Sequence, residues 1–213
     1  EEVRCYFFVI IASALMITFN VRHLFDNVWE ALQQAFFQVG SIITTTGYAT
    51  TDFNQWPAVS RTILVLLTFC GACAGSTGGG IKISRLLLLA KSVRKELHLY
   101  LHPNAVKKIK MDGHNLSHET LRSTNVYMTA YFIVLFVSLL IVCLDEYDLS
   151  TNFTAVLATL NNIGPGLELV GPTQNFALFS PLSKCVLMFD MLAGRLELFP
   201  MLVIMLPSCW KKY

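Results

Sequence analysis

Charge is scarce in this chain of 213 residues. Asp, Glu, Lys and Arg make up 14% of it, against about a quarter in ordinary soluble domains. Hydrophobic residues make up 54%, the mean hydropathy is +0.54, and the apolar residues come in long blocks. Lipid is therefore the natural solvent for much of the surface. Clustered His, Asp or Glu within the spans, which a membrane-embedded enzyme would need, is also missing. Only Asp190, Arg195 and Glu197 approach such a cluster, and no nucleophile–base pair accompanies them.

Cysteine is thinly spread. The six (Cys5, Cys70, Cys73, Cys143, Cys185, Cys209) lie in or beside apolar runs. Cys70-Gly-Ala-Cys73 has the spacing of a redox or zinc pair, but no second pair joins it, and its small residues suit close helix packing. The net charge of +2 says little, whereas nine of the sixteen Lys and Arg fall between Lys82 and Arg122. Membrane segments flank that basic cluster, which argues against nucleic acid. The chain opens on Glu1-Glu2 without Met or a signal-peptide pattern, as a fragment of a longer chain would.

What is present has an order. Val3 to Phe19 is a first membrane helix, with Arg4 able to snorkel. Asp26 is a plausible N-cap for a helix from Asn27 to Ile43. That helix carries Trp29, Leu32, Phe36 and Phe37 against Glu30, Gln33, Gln34 and Gln38. It is too polar for a lipid-exposed span, and reads as a pore helix whose C-terminal dipole end favours a cation. Pro57 opens the next helix. Ala58 to Ala90 then runs 33 residues, roughly 50 Å as a helix, too long for a hydrocarbon core of about 30 Å. Its break is Gly71 to Gly80.

Lys91 to Arg122 reads as a polar, cytoplasmic loop by the positive-inside rule. Val126 to Leu144 crosses outward, and Asp148 or Ser150 caps a short helix to about Leu160. A glycine loop follows, Pro181 opens a last span from Leu182 to Leu206, and Trp210-Lys211-Lys212 anchors its cytoplasmic end. The expected fold is all-α and membrane-integral: two membrane–pore–membrane repeats (1–96 and 124–213), with re-entrant loops, joined by a basic segment (97–123).

Two polar stretches sit at membrane depth in equivalent places, Thr44-Thr45-Thr46-Gly47-Tyr48-Ala49-Thr50 and Asn161-Asn162-Ile163-Gly164-Pro165-Gly166-Leu167. Polar backbone survives there only if buried in protein or lining water. Oxygens from such loops can replace the hydration shell of a cation; a loop between surface helices is the plainer reading of either alone. The glycine-rich break nearly fits GxxxxGK[ST], but Ile81 stands where lysine belongs and no strand precedes it. His98, His102, His114 and His118 form two i,i+4 pairs without the further ligands of a zinc site.

TTTGYAT after a pore helix, GSTGGGIKISR inside the next span, NNIGPGL in the second half and GRLELFP in the last helix together resemble the Trk/Ktr/HKT superfamily of potassium transporters, most closely the bacterial Trk membrane subunit. Thr46-Gly47-Tyr48 also shares three residues with the potassium-channel filter TVGYG. The resemblance implies four pseudo-symmetric repeats, of which this chain holds the third and fourth. It implies a homodimer in the cell inner membrane with a cytoplasmic C-terminus, gated by a cytoplasmic nucleotide-binding ring.

Filter residues would be Thr45, Thr46, Gly47 and Tyr48 with Asn162, Ile163, Gly164 and Pro165. K⁺ would be held at Thr46, Gly47, Ile163 and Gly164, without a covalent cofactor. Gly75, Gly78, Gly79 and Gly80 would form an intramembrane gating loop, a packing kink being the plainer alternative. Arg195 would stand beside it as a barrier to cations, or pair with a neighbouring helix. The basic segment suits anionic lipid headgroups or the gating partner. A sodium-preferring relative remains open, because such members differ at the first-repeat filter position, which is not in this sequence.

Overall fold

The computed structural model describes residues 1–76, 78–102, 108–196, 198–204 and 210. The first repeat comprises α1 (Glu2–Val21), α2 (Val28–Ile43), α3 (Ala58–Phe69) and α4 (Ile83–Leu101). The second comprises α5 (His118–Val142), α6 (Leu149–Leu160), α7 (Pro181–Arg195) and α8 (Leu198–Ile204). Between them a small antiparallel hairpin pairs β1 (Lys110–Met111) with β2 (His114–Asn115).

The stretches Glu2–Leu24 and His118–Asp145 are long and apolar enough to cross a membrane. Each buries one stripe at helical spacing: Ala14, Ile17, Thr18 and Val21 on α1, and Tyr127, Tyr131, Leu135, Ser138 and Val142 on α5. Their other faces leave Phe8, Phe19, Ile133 and Leu140 exposed, as lipid contact requires. The pore helices differ from this. Helix α6 is buried on nearly every side from Thr154 to Leu160, and it occupies the centre of its repeat.

Caps mark the helix starts. Asp148 accepts from the Ser150 N–H at 2.9 Å and Ser180 from the Ser183 N–H at 3.3 Å, with Pro181 in the first turn of α7. The expected Asp26 cap is displaced by one residue: Asn27 holds that position on α2, and its side chain makes no capping bond.

Two further expectations change. The basic stretch from Lys91 is helical as far as Leu101, as the continuation of α4. Apolar composition ends at the bilayer, but Leu, Lys, Arg and Glu are all good helix formers, so the helix does not end there. The last span is also not continuous: α7 stops at Arg195 and α8 starts at Leu198. Pro200 lacks an N–H and its ring clashes with the carbonyl four residues earlier, so a helix restarting at Leu198 accommodates it in its first turn. Lys107, Glu197, Lys211, Lys212 and the side chain of His114 lie outside the described residues.

The two repeats share their cores. Ile163, from the second repeat, is buried in the cluster of α1, α2 and α3 with Ile42, Leu64 and Leu67. Ile81, from the first, is buried in the cluster of α5 to α8 with Tyr131, Leu160 and Leu187. Each of these two isoleucines sits in or beside a polar loop, so the loops pin one repeat to the other.

Candidate ion pathway

Both pore helices end on the same backbone device. After α2, Thr45 turns left-handed (φ +56°), its N–H donates to the Ile42 carbonyl at 3.0 Å, and the Thr46 N–H donates to Ser41 at 2.8 Å. After α6, Asn162 turns left-handed (φ +55°), its N–H donates to Thr159 at 3.0 Å, and the Ile163 N–H donates to Ala158 at 2.9 Å. This is the Schellman pattern, built without glycine at the left-handed position. For threonine that conformation is strained, and it is kept where both loops turn away from the helix. Two residues on, Gly47 (φ +78°) and Gly164 (φ +110°) occupy equivalent positions in backbone regions that favour glycine.

The N–H groups are thereby consumed and the carbonyls are not. Among the described residues, the carbonyl oxygens of Thr44 to Gly47 and of Asn161 to Gly164 accept no hydrogen bond. Further bonds hold the loops in place. The Ser41 hydroxyl donates to the Tyr48 carbonyl at 2.6 Å, and Gln38 Nε2 donates to the Thr51 carbonyl at 3.4 Å. Thr50 bonds Gln34, and the hydroxyls of Thr44 and Thr46 lie 2.8 Å apart. In the second loop Tyr131 donates to Asn161 Oδ1 at 3.0 Å, and Asn162 Nδ2 donates to the Met191 carbonyl at 2.9 Å.

The two loops meet. A β-carbon on Gly47 would lie 1.8 Å from the Ile163 oxygen and 3.2 Å from Pro165 Cδ, whereas one on Gly164 would meet nothing within 4 Å. Gly47 thus stands against Ile163 and Pro165, while Thr46, Tyr48 and Gly164 are exposed and Thr45 and Asn162 are half-buried.

The glycine-rich break from Gly71 to Gly80 is a closed loop packed against both. Its neck is pinched where the Gly71 N–H donates to the Ile81 carbonyl at 2.8 Å. Gly78 lies beside Thr45, and Gly79 and Gly80 lie beside Asn161: β-carbons there would stand 3.2 Å from Thr45 Oγ1, 2.3 Å from the Asn161 carbonyl oxygen and 2.8 Å from Asn161 Oδ1. Gly75, at φ +80°, is exposed, and a β-carbon there would meet nothing within 4 Å. Lys82 closes the loop: its ammonium donates to the Ser76 and Gly78 carbonyls at 2.9 and 2.5 Å and to the Ser76 hydroxyl at 3.1 Å. A phosphate cradle aims N–H groups at its ligand, whereas this loop turns carbonyls to a cation of its own chain.

Arg195 is exposed at the end of α7 and, among the described residues, makes no hydrogen bond or ion pair. The adjacent Gly194 packs on the Leu160 carbonyl, 1.9 Å from a would-be β-carbon. Among the described residues no three His, Cys, Asp or Glu gather as a metal site. The His98 and His102 rings lie 5.1 Å apart at the end of α4.

Sequence reasoning missed the supports. Gln38 was visible on the polar face of a pore helix, but Ser41 was not singled out, and Tyr131, Lys82 and Asn54 carry no local signal. Asn54 is the least expected of these. Its Nδ2 donates to the Glu168 carbonyl and its Oδ1 accepts from the Glu168 N–H, both at 2.9 Å, and Arg61 pairs with the Glu168 carboxylate at 2.7 Å.

The family described as "TrkH: Cation transport protein" matches residues 6–212. The chain belongs to the TrkH family. It is 40% identical to the Trk system potassium uptake protein TrkH of Salmonella typhimurium over 204 residues, 96% of this chain and 41% of that protein. It is 30% identical to the Trk system potassium uptake protein TrkG of Escherichia coli, over 99% of this chain and 44% of that one. The crystal structure of the potassium transporter TrkH from Vibrio parahaemolyticus superposes with a TM-score of 0.88 at 36% identity, covering 99% of this chain and 45% of that one. The TrkH relatives are multi-pass membrane transporters and not enzymes, and this chain spans less than half their length.

Proposed function

We propose that this chain is the C-terminal half of a potassium uptake subunit, with residues 1–96 and 124–213 as the third and fourth of four membrane–pore–membrane repeats and 97–123 as the cytoplasmic basic segment between them. The observation that carries the reading is the pair of loops with free carbonyls. Thr45 to Gly47 and Asn162 to Gly164 follow the same backbone course, spend the N–H groups of Thr45, Thr46, Asn162 and Ile163 on the pore helix, and leave their carbonyl oxygens to a ligand. Such oxygens, at the negative ends of two helix dipoles, suit a dehydrated monovalent cation. K⁺ would sit at Thr46, Gly47, Ile163 and Gly164 and at the matching positions of two further repeats.

The loop of Gly75, Gly78, Gly79 and Gly80 packs against Thr45 and Asn161, where it would obstruct an ion leaving the filter. Arg195 would add an electrostatic barrier. The relatives are named as members of a Trk system, which supports assembly with other components. The subunit would work in the cell inner membrane as a homodimer, its C-terminus cytoplasmic, under the control of a cytoplasmic nucleotide-binding ring.

The test is rubidium and sodium uptake into liposomes containing the full-length parent, with and without Gly47→Ser. Uptake that prefers rubidium and loses that preference in the variant is the expected result. Robust sodium uptake by the parent would keep the pore and change the ion. Absence of cation flux under every gating condition would overturn the reading.

A further inference from the structure

Asp190 is fully buried on α7. Its Oδ1 accepts from the Ser138 hydroxyl of α5 at 2.7 Å, and its Oδ2 has no partner among the described residues. The surrounding face is apolar, with Leu187 and Ala193 beside it on α7 and Leu135 and Val142 on α5. An ionised carboxylate with one hydrogen bond and no counter-ion is costly in such a place, and intramembrane acids usually have a functional reason to be there.

Among the described residues, no neighbouring group supplies the missing charge. Helices α6 and α8 bring no titratable side chain. Facing it from α5, the Tyr131 phenol is spent on Asn161, and Tyr127 lies beneath the Arg85 guanidinium at 3.8 Å. On α7 itself, Lys184 donates to the Ala177 carbonyl at 2.8 Å. Arg195 is exposed and lies roughly 140° round the helix.

We infer that Asp190 is a proton-binding site inside the membrane, a neutral carboxylic acid whose proton is required for transport. The proton resides on Oδ2 and leaves to water only as α7 parts from α5, leaving a carboxylate that Ser138 alone supports. The link to the pathway is one residue long: the next carbonyl, Met191, accepts from Asn162, the left-handed residue of the second filter loop. A charge at position 190 drives α7 away from α5 and takes that brace with it. The coupling rests on the proposed transport function, whereas the protonation does not.

The experiment is infrared spectroscopy of the full-length parent in liposomes as pH is raised, with rubidium uptake measured in parallel, on wild type, Asp190→Asn and Ser138→Ala. Wild type is expected to show the carbonyl stretch of a protonated acid at neutral pH. The band is absent from Asp190→Asn and shifted in Ser138→Ala, where its hydrogen bond is gone. Asp190→Asn, which mimics the neutral acid, is expected to transport as wild type does at neutral pH. It is also expected to keep transporting at the alkaline pH where wild type loses both band and uptake. No acid band at neutral pH, a folded but inactive Asp190→Asn, or a band that titrates without any change in uptake would each overturn the inference. If no variant, wild type included, transports rubidium, the transport reading has failed and the infrared result still decides the protonation.

Discussion

The carbonyl oxygen of Ile163 occupies the space a β-carbon on Gly47 would need, at 1.8 Å. The first loop is thus closed by the second, and glycine at position 47 serves two purposes, its φ of +78° and the room it leaves for a carbonyl oxygen of the second loop. Gly47→Ala therefore pushes on Ile163, a carbonyl proposed to hold the ion. The expected outcome is a protein that still folds but loses about tenfold or more of its rubidium-over-sodium preference, measured by competitive uptake. Gly164, whose β-direction is open here, becomes as sensitive in the full-length subunit if another repeat presents its own carbonyl there. A tolerant Gly164→Ala would argue against that four-fold arrangement.

Lys82 ties the glycine-rich loop to itself through three oxygens. Hydrogen bonds from a charged donor contribute about 1.5–3 kcal/mol each way of counting, and Lys82→Met removes them while keeping the length of the side chain. If the loop obstructs the pathway, freeing it raises basal rubidium uptake several-fold, toward about tenfold. Uptake that stays at the wild-type level in a well-expressed variant would show that the staple does not set the position of the obstruction.

Tyr131 and Asn161 test the support behind the second loop. Tyr131→Phe leaves Asn161 Oδ1 buried without its donor, at a cost of about 1–3 kcal/mol, while barely changing volume. Lower thermal stability in detergent, with rubidium preference weakened in the same preparation, is the expected pair of results. A stability loss with selectivity intact would confine Tyr131 to packing.

The parts legible from the sequence were those written in local composition. The two hydroxyl- and glycine-bearing loops, the cap at Asp148, the helix start at Pro181, and the break from Gly71 each announce themselves within a few residues. The course of α4 through Lys91 to Leu101 did not, because hydropathy detects the bilayer and not the helix that outlasts it. The interruption after Arg195 was hidden for the opposite reason: Leu196, Leu198 and Phe199 carry the apolar run across it despite Arg195 and Glu197, and only Pro200 hinted that the helix could not run on. Contacts between repeats were beyond any local pattern. Ile81 and Ile163 look like ordinary apolar residues until each is found in the other repeat's core, and Asn54 looks like a turn residue until it is found on Glu168.

That last contact gives a test that packing elsewhere does not confound. A β-carbon on Gly171 would fall 2.2 Å from Asn54 Nδ2, yet Gly171 has φ −63°, so alanine there meets no backbone strain. Gly171→Ala should cost about 1–3 kcal/mol by overpacking, and Asn54→Ala should cost a comparable amount through the two lost bonds to Glu168. In the double variant the clash is gone because the amide is gone. The two losses should then fall short of additive by about 1 kcal/mol or more, read from denaturation of the full-length parent. Strict additivity would mean that Asn54 does not hold the Glu168 turn in the way its two hydrogen bonds indicate.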